Sequence, residues 1–123
     1  MTPARMLALA AILGAASVLI GAFGAHGLKD IATPQALAWW ETGARYQTYH
    51  ALALLLCGLL GRTGSVPRLS AWAFVIGIAL FSGSLYAMTL TEQRWFAAAT
   101  PIGGVAFAIG WLALLPHCRT TRD

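Results

Sequence analysis

The chain has 123 residues, of which 59% are hydrophobic and only 10% are charged. A soluble domain usually carries about 25% charged residues, so this chain has too few charges to cover a water-facing surface, and lipid is its expected solvent. Its net charge of +4 is spread over single basic residues, whereas a nucleic-acid interface needs them clustered on one face. We therefore expect one domain, by length, in a membrane and without a nucleic-acid partner.

The first predicted helix covers about residues 6–28 and carries no Lys, Arg, Asp or Glu. Its length exceeds the roughly 20 apolar residues that a bilayer crossing needs. It closes with the sequence GAFGAHGLKD, which places glycines at positions 21, 24 and 27. We expect Gly27 to end the helix, with Lys29 close to the negative end of the helix dipole.

This glycine-rich end has two other interpretations. A phosphate-binding loop is excluded, because the glycine spacing does not match a dinucleotide fingerprint and no Gly-Lys-Ser/Thr sequence follows. A cleaved signal peptide is an alternative, since Arg5 precedes an apolar core and Ala22-Phe23-Gly24 is a small-x-small pattern. Cleavage would leave three of the four predicted spans.

The second predicted helix covers about residues 34–61. The uncharged stretch after Arg45 holds only 16 residues, or roughly 24 Å of helix, which is short for a hydrocarbon core of about 30 Å. Thr33-Pro34 is typical of an N-cap followed by proline at the first helical position, so we expect a longer helix that starts there. Trp39 and Trp40 then lie at the interface, and Glu41 can pair with Arg45 four residues on.

The third and fourth predicted helices cover about residues 69–91 and 95–115. Short loops make consecutive helices antiparallel neighbours, so the predicted fold is all-α, an integral membrane four-helix bundle with antiparallel up-down topology. Small residues are expected where helices touch, because they allow close approach in lipid. The glycines predicted to serve this packing are Gly21, Gly24, Gly27, Gly103 and Gly104.

The loop charges predict an orientation for the bundle. With four spans, the two termini and the loop between the second and third helices share one side, which holds five Lys/Arg residues against three on the other. An excess of basic residues is typical of the cytoplasmic side. Both termini are therefore expected in the cytoplasm.

Polar residues within the spans are the candidates for a functional site. His50 is the clearest, because it lies 11 residues before Gly61, which is about 16 Å from the membrane edge. These groups have two interpretations: they line a small polar pocket in the outer half of the bundle, or they only bond one another and fix helix packing. The candidate binding residues are His26, Tyr46, Gln47, His50, Ser82, Ser84 and Tyr86.

The sequence predicts no catalytic residues, metal site or cofactor. His26 lies about 30 Å along the first helix and His50 roughly 13 Å lower, which is too far apart for the ligands of one metal. The acidic residues fall in loops or at the interface, and the sequence contains no nucleophile elbow, carboxylate pair or HExxH motif. Enzyme activity is therefore the least favoured class.

Four blocks of sequence carry a resemblance to a known family: GAFGAHGLK, YQTYHALALL, LFSGSLYAMTL and PIGGVAFAIGW. In this order, and over nearly the whole chain, they resemble domain-of-unknown-function family 423, the YgdD-like small inner-membrane proteins. The resemblance implies a four-span protein of the bacterial inner membrane and disfavours cleavage of the first helix. It implies no reaction.

Two functional hypotheses remain open at this stage. In the first, the bundle binds or conducts a small polar molecule, a lipid or a proton around Tyr46, Gln47 and His50. In the second, it is a structural or accessory subunit that packs against a partner membrane protein or another copy of itself. A pocket lined by the candidate side chains would favour the first hypothesis, and a flat lipid-facing stripe of small residues would favour the second.

Overall fold

The computed structural model describes residues 1–119, and these form helices and short connections with no strand among them. The third span, Arg68–Thr91, consists of two α-helices joined by a π-helical turn, Ile78–Ser82, and short 3-10 helices flank the last α-helix. The α-helices are α1 (Pro3–His26), α2 (Pro34–Thr63), α3 (Arg68–Gly77), α4 (Gly83–Thr91) and α5 (Ala99–Leu112).

The predicted all-α membrane bundle is confirmed. Three helical segments are long and apolar enough to cross a bilayer, namely α1, Arg68–Thr91 and Arg94–His117. Helix α2 packs against α1 on one side and against the third span on the other, and α5 packs against the third span. The apolar core lies between these elements and includes Met6, Leu54, Cys57 and Phe74, each of which is fully buried.

Helix α2 is the central and most polar element. Its 30 residues give about 45 Å of helix, which is ample for a crossing, although its hydropathy is lower than that of the other three segments. Gln47 and His50 contribute to this, and both are polar yet buried, because they face neighbouring helices and not lipid. Such inward-facing polar residues are the usual exception in membrane helices.

The predicted start of α2 is confirmed. The hydroxyl of Thr33 accepts a hydrogen bond from the backbone N–H of Ala36 at 3.1 Å, and Pro34 occupies the first helical position. This cap satisfies one of the free N–H groups of the first turn, and proline there loses no hydrogen bond. The expected ion pair between Glu41 and Arg45 is also present, on the surface of the helix.

Helix α1 ends at His26, two residues earlier than predicted, and Gly27 follows it. The φ of Gly27 is −72°, which is right-handed backbone open to any residue, so a left-handed cap does not explain this glycine. A Cβ at Gly27 would instead lie 2.7 Å from the ring of Phe23. The Phe23 ring folds over the end of its own helix, so a larger residue at position 27 would require that ring to move.

The third span departs from the predicted regular helix. The N–H of Gly83 bonds to the carbonyl of Ile78, five residues back, so the turn Ile78–Ser82 holds one residue more than an α-helical turn. Turns of this kind often occur at functional sites. Here the turn carries Phe81 and Ser82, whose side chains reach Tyr46 and α2 respectively.

The third span and α5 interlock where glycines of one helix meet phenylalanines of the other. A Cβ at Gly110 would lie 2.5 Å from the ring of Phe74, and one at Gly77 would lie 2.5 Å from the ring of Phe107. A Cβ at Gly103 would lie 2.8 Å from the Cα of Phe81. The three Gly–Phe pairs follow one antiparallel register, because each step forward on one helix is matched by an equal step back on the other.

Candidate functional site

The sequence-predicted binding residues do not meet in one pocket. Gln47, Ser82 and Tyr86 bond within the layer between α1, α2 and the third span. Tyr46 and His50 face α5. The other two lie apart from both groups, because Ser84 bonds Thr100 at 2.6 Å and His26 is exposed at the end of α1.

Gln47 joins three helices through its side-chain amide. Its Nε2 donates to the backbone carbonyl of Leu13 on α1 at 2.8 Å, and its Oε1 accepts from the hydroxyl of Tyr86 on α4 at 2.8 Å. A single side chain of α2 therefore forms hydrogen bonds with both α1 and α4, the helices on either side of α2. Ser82 adds a parallel link by donating to the carbonyl of Gly43 at 2.7 Å.

Replacing Gln47 by leucine is expected to lower the free energy of unfolding by about 1–3 kcal/mol, since it leaves the Tyr86 hydroxyl without its acceptor. The double variant Gln47→Leu/Tyr86→Phe removes that orphaned group and should recover part of the loss. The measurement is the free energy of reversible unfolding in detergent or bicelles for the wild type, Gln47→Leu, Tyr86→Phe and the double variant. These four values form a double-mutant cycle. Additive losses in the double variant would contradict the observed bond.

His50 is held by both of its ring nitrogens. Nδ1 lies 2.7 Å from the backbone carbonyl of Tyr46, and Nε2 accepts from the indole N–H of Trp111 at 3.2 Å. A carbonyl only accepts and an indole N–H only donates, so this network fixes the neutral tautomer with the proton on Nδ1. The imidazole also stacks on Phe107, with ring centroids 3.4 Å apart and planes 7° from parallel.

A cleft of about 400 Å³ lies beside this histidine, between α2 and α5. The rings of Tyr46 and Tyr49 form its α2 wall, and the hydroxyls of both make no hydrogen bond within the described residues, while Tyr49 is 51% exposed. No Asp, Glu, Lys or Arg contributes to the lining. The lining residues are Tyr46, Tyr49, His50, Gly104, Phe107 and Trp111.

Half of the residues that line this cleft, namely Tyr49, Phe107 and Trp111, were not among the sequence-predicted candidates. A signal for two of them is present in the sequence, since Phe107 and Trp111 are four residues apart and so lie on one face of α5. Their proximity to His50 depends on how α5 is aligned with the third span through the Gly–Phe pairs. That alignment cannot be predicted from the sequence of one helix alone.

The predicted packing glycines behave differently from one another. Gly24 receives the indole of Trp40, whose Nε1 would lie 2.7 Å from an added Cβ, and Gly103 meets the Phe81 backbone. An added Cβ at Gly21 would have no neighbour within 4 Å, and one at Gly104 would be in ordinary contact with Phe81 at 3.9 Å. Gly21 and Gly104 therefore line open clefts and do not close a helix contact.

Metal chemistry has no visible support in the part of the chain that the structure describes. No group of three His, Cys, Asp or Glu side chains lies close enough there to hold an ion. The thiol of Cys57 is buried in the apolar core. Its environment fits a small packing residue.

Comparison with known proteins decides the family. The family model described as "Protein of unknown function (DUF423)" matches residues 20–104. The chain belongs to the DUF423 family. This match contains every sequence-predicted binding residue, while Phe107 and Trp111 of the α2–α5 cleft lie beyond it.

Three relatives illustrate the DUF423 similarity. A UPF0382 membrane protein of Staphylococcus epidermidis is 47% identical over 109 residues, which are 85% of this chain and 89% of the relative. YwdK of Bacillus subtilis, also a UPF0382 membrane protein, is 44% identical over 112 residues, covering 85% and 90%. The UPF0382 inner membrane protein YgdD of Escherichia coli is 41% identical over 121 residues, covering 94% and 89%.

No solved structure matches this DUF423 chain. The names of the relatives state a membrane location and no activity. Together with the apolar helices, they show a multi-pass membrane protein of an uncharacterised family, and any activity has to be argued from the site itself.

Proposed function

We propose that this protein binds a neutral lipid-phase molecule in the α2–α5 cleft. The observation that carries the proposal is the cleft of about 400 Å³ beside His50, a residue that the sequence already marks as an ionisable group within a span. Ligand sites are concave, mostly apolar and equipped with a few polar groups. This cleft has that composition, and its position between two helices gives direct access from the bilayer.

The lining indicates the chemistry of the ligand. Four aromatic rings favour a partner with a flat ring or conjugated group, because aromatic faces pack best against other rings. The hydroxyls of Tyr46 and Tyr49, which make no hydrogen bond within residues 1–119, are donors that suit an acceptor such as a carbonyl or ether oxygen. The lack of charged lining residues favours a neutral molecule. We therefore propose a ring-bearing lipid with an accepting oxygen.

Binding has more support than conduction. A conducting path needs polar groups that exchange partners, whereas Gln47, Ser82 and Tyr86 are each engaged by a neighbouring helix. The two nitrogens of His50 are likewise engaged. These bonds give the cleft a fixed wall, which is the property that a binding site requires.

The test is native mass spectrometry of the full chain purified from its membrane, with bound lipids identified after extraction. Gly104→Leu fills the cleft at a position where an added Cβ meets only ordinary contact, so we expect the bound molecule to be lost. Gly14→Leu is the matched control, because an added Cβ there has no neighbour within 4 Å and Gly14 does not line the cleft.

The same experiment distinguishes the alternatives. A ligand that both variants retain equally would overturn the cleft as its site. A stoichiometric membrane protein that co-purifies in place of a lipid would support the accessory-subunit hypothesis and contradict this one.

We also propose that the protein lies in the bacterial inner membrane with both termini in the cytoplasm. The five-to-three bias of basic residues supports this orientation. A cysteine introduced as Gln93→Cys, between the third and fourth spans, should react with a membrane-impermeant thiol reagent in intact spheroplasts. Ser65→Cys, on the opposite side, should react only after permeabilisation, and the reverse pattern would refute the orientation. Both variants are made in a Cys118→Ser background, because that native cysteine also lies outside the predicted spans.

A further inference from the structure

A separate cleft opens between α1 and α3, at the end of the bundle where both helices begin. Its volume is about 390 Å³, and α1 supplies most of its wall, because residues three and four apart share one face of a helix. Met6 of α1 and Phe74 of α3 belong to one buried core cluster, so the two helices meet on packed side chains beside the cleft. The lining residues are Met1, Arg5, Ala8, Leu9, Ile12 and Trp72.

Packing at this end of the bundle sets the depth of the cleft. A Cβ at Gly61, near the end of α2, would lie 3.0 Å from Pro3 and 3.3 Å from Val66. The first residue of α1 is therefore level with the segment that leads into α3, and Arg5 and Trp72 lie in the first turns of their helices. Side chains tilt toward the N-terminus of a helix, so both of these side chains point toward this end.

The cleft has a polar mouth and an apolar wall below it. The guanidinium of Arg5 and the indole N–H of Trp72 are donors that make no hydrogen bond or ion pair within residues 1–119, and Trp72 is 50% exposed. Tryptophan concentrates at the membrane interface. Ala8 and Ile12 line the deeper part, and Ile12 lies seven residues, or about 10 Å, beyond Arg5. This arrangement fits an amphiphile whose headgroup accepts hydrogen bonds at the mouth.

The charges at this end select the sign of the headgroup. Arg62 and Arg68 lie at the same end as Arg5, one at the end of α2 and the other at the start of α3. The acidic residues of the described chain lie toward the opposite end, and they are Asp30, Glu41 and Glu92. Within residues 1–119, therefore, no carboxylate here can pair with the ammonium of a zwitterionic headgroup. Basic pockets between transmembrane helices are typical sites for anionic headgroups.

We propose that the α1–α3 cleft binds an anionic phospholipid whose headgroup carries no ammonium, of the phosphatidylglycerol type. Arg5 binds its phosphate, the indole N–H of Trp72 donates to an ester carbonyl just below, and the first part of an acyl chain lies along Ala8 and Ile12. This cleft shares no residue with the α2–α5 cleft, so either proposal stands if the other fails.

The test compares two lipids that differ only in their headgroup. Full-length protein, freed of lipid in detergent, is offered phosphatidylglycerol and phosphatidylethanolamine with identical chains, and retention is measured by native mass spectrometry. We expect the wild type to prefer phosphatidylglycerol. Arg5→Gln should lower the retention of phosphatidylglycerol about two- to five-fold, since one exposed charge contact is modest, and should abolish the preference. Arg5→Lys keeps the charge and should keep the preference.

Matched variants separate this cleft from general attraction between charges. Arg62→Gln removes one basic residue from the same end but outside the cleft, so it should keep the preference. Ala8→Leu fills the cleft and should block retention, whereas Ala22→Leu changes another exposed alanine of α1, roughly 21 Å away, and should behave as wild type.

Three results would overturn the proposal. The first is equal retention of both lipids, or a preference for phosphatidylethanolamine, by the wild type. The second is an equal loss of preference in Arg5→Gln and Arg62→Gln, which would assign the effect to net charge. The third is identical behaviour of the two leucine variants, which would place the bound lipid elsewhere.

Discussion

Replacing Gly103 by alanine is expected to destabilise the bundle by about 3 kcal/mol, at the upper end of the usual cost of overpacking a core. The added Cβ would lie 2.8 Å from both Cα and Cβ of Phe81, and closer still to its backbone nitrogen. A backbone inside the π-helical turn cannot move aside as a flexible side chain can. The helices α5 and Arg68–Thr91 would have to separate, which loosens the neighbouring Gly–Phe pairs as well.

The adjacent glycine provides the control. Gly104→Ala places its Cβ at 3.9 Å from Phe81, and Gly83→Ala meets no atom within 4 Å, so both should change stability by less than 1 kcal/mol and gain slightly from the helix propensity of alanine. Unfolding free energies from steric trapping in bicelles would measure all three. A Gly103→Ala protein as stable as Gly104→Ala would show that the observed register of α5 is wrong.

Replacing His50 by alanine is expected to cost about 2–4 kcal/mol of unfolding free energy. The change removes the ring stacked on Phe107 and leaves a cavity, and it leaves the indole N–H of Trp111 without its acceptor. Interhelical hydrogen bonds in membranes average about 0.6 kcal/mol, so most of the loss should come from packing. His50→Phe preserves the stack and should recover the larger share.

A double-mutant cycle with Trp111→Phe isolates the hydrogen bond. We expect a coupling energy of about 0.6 kcal/mol between His50 and Trp111, the average for such bonds in membrane proteins, and no more than about 1.7 kcal/mol. A coupling near zero would contradict the bond. If His50→Ala had no effect on stability, abundance or the identity of bound lipids, both the structural and the ligand-binding roles of His50 would be excluded.

Much of the fold follows from the sequence because lipid imposes simple rules. Helix existence and order are set by the length of apolar segments, and the start of α2 is set by the Thr33 cap. The Glu41–Arg45 pair follows from spacing alone. These features depend on residues close in sequence, so local reasoning reaches them.

The arrangement of the candidate site does not follow in the same way. One of the two interpretations of the polar residues put His50 in an outer pocket with Ser82 and Tyr86, whereas His50 contacts Phe107 and Trp111. The count gives depth along a helix and not the direction in which a side chain points, and His50 points to α5 whereas Gln47 points to α1 and the third span. Which face of α5 meets α2 is then set by the Gly–Phe pairs, a property of two segments read together.

Because of the extra residue in the turn Ile78–Ser82, the side chains of α4 are rotated about the axis of the third span relative to those of α3. One residue corresponds to about 100° of helix rotation, so deleting a single residue there would turn the whole of α4 away from its neighbours while α3 kept its place on α5. Tyr86 would lose Gln47 and Ser84 would lose Thr100 in the same step. One additional residue therefore lets a single span pack against α5 through α3 and against α2 through α4, although the two contacts require different rotations of the helix.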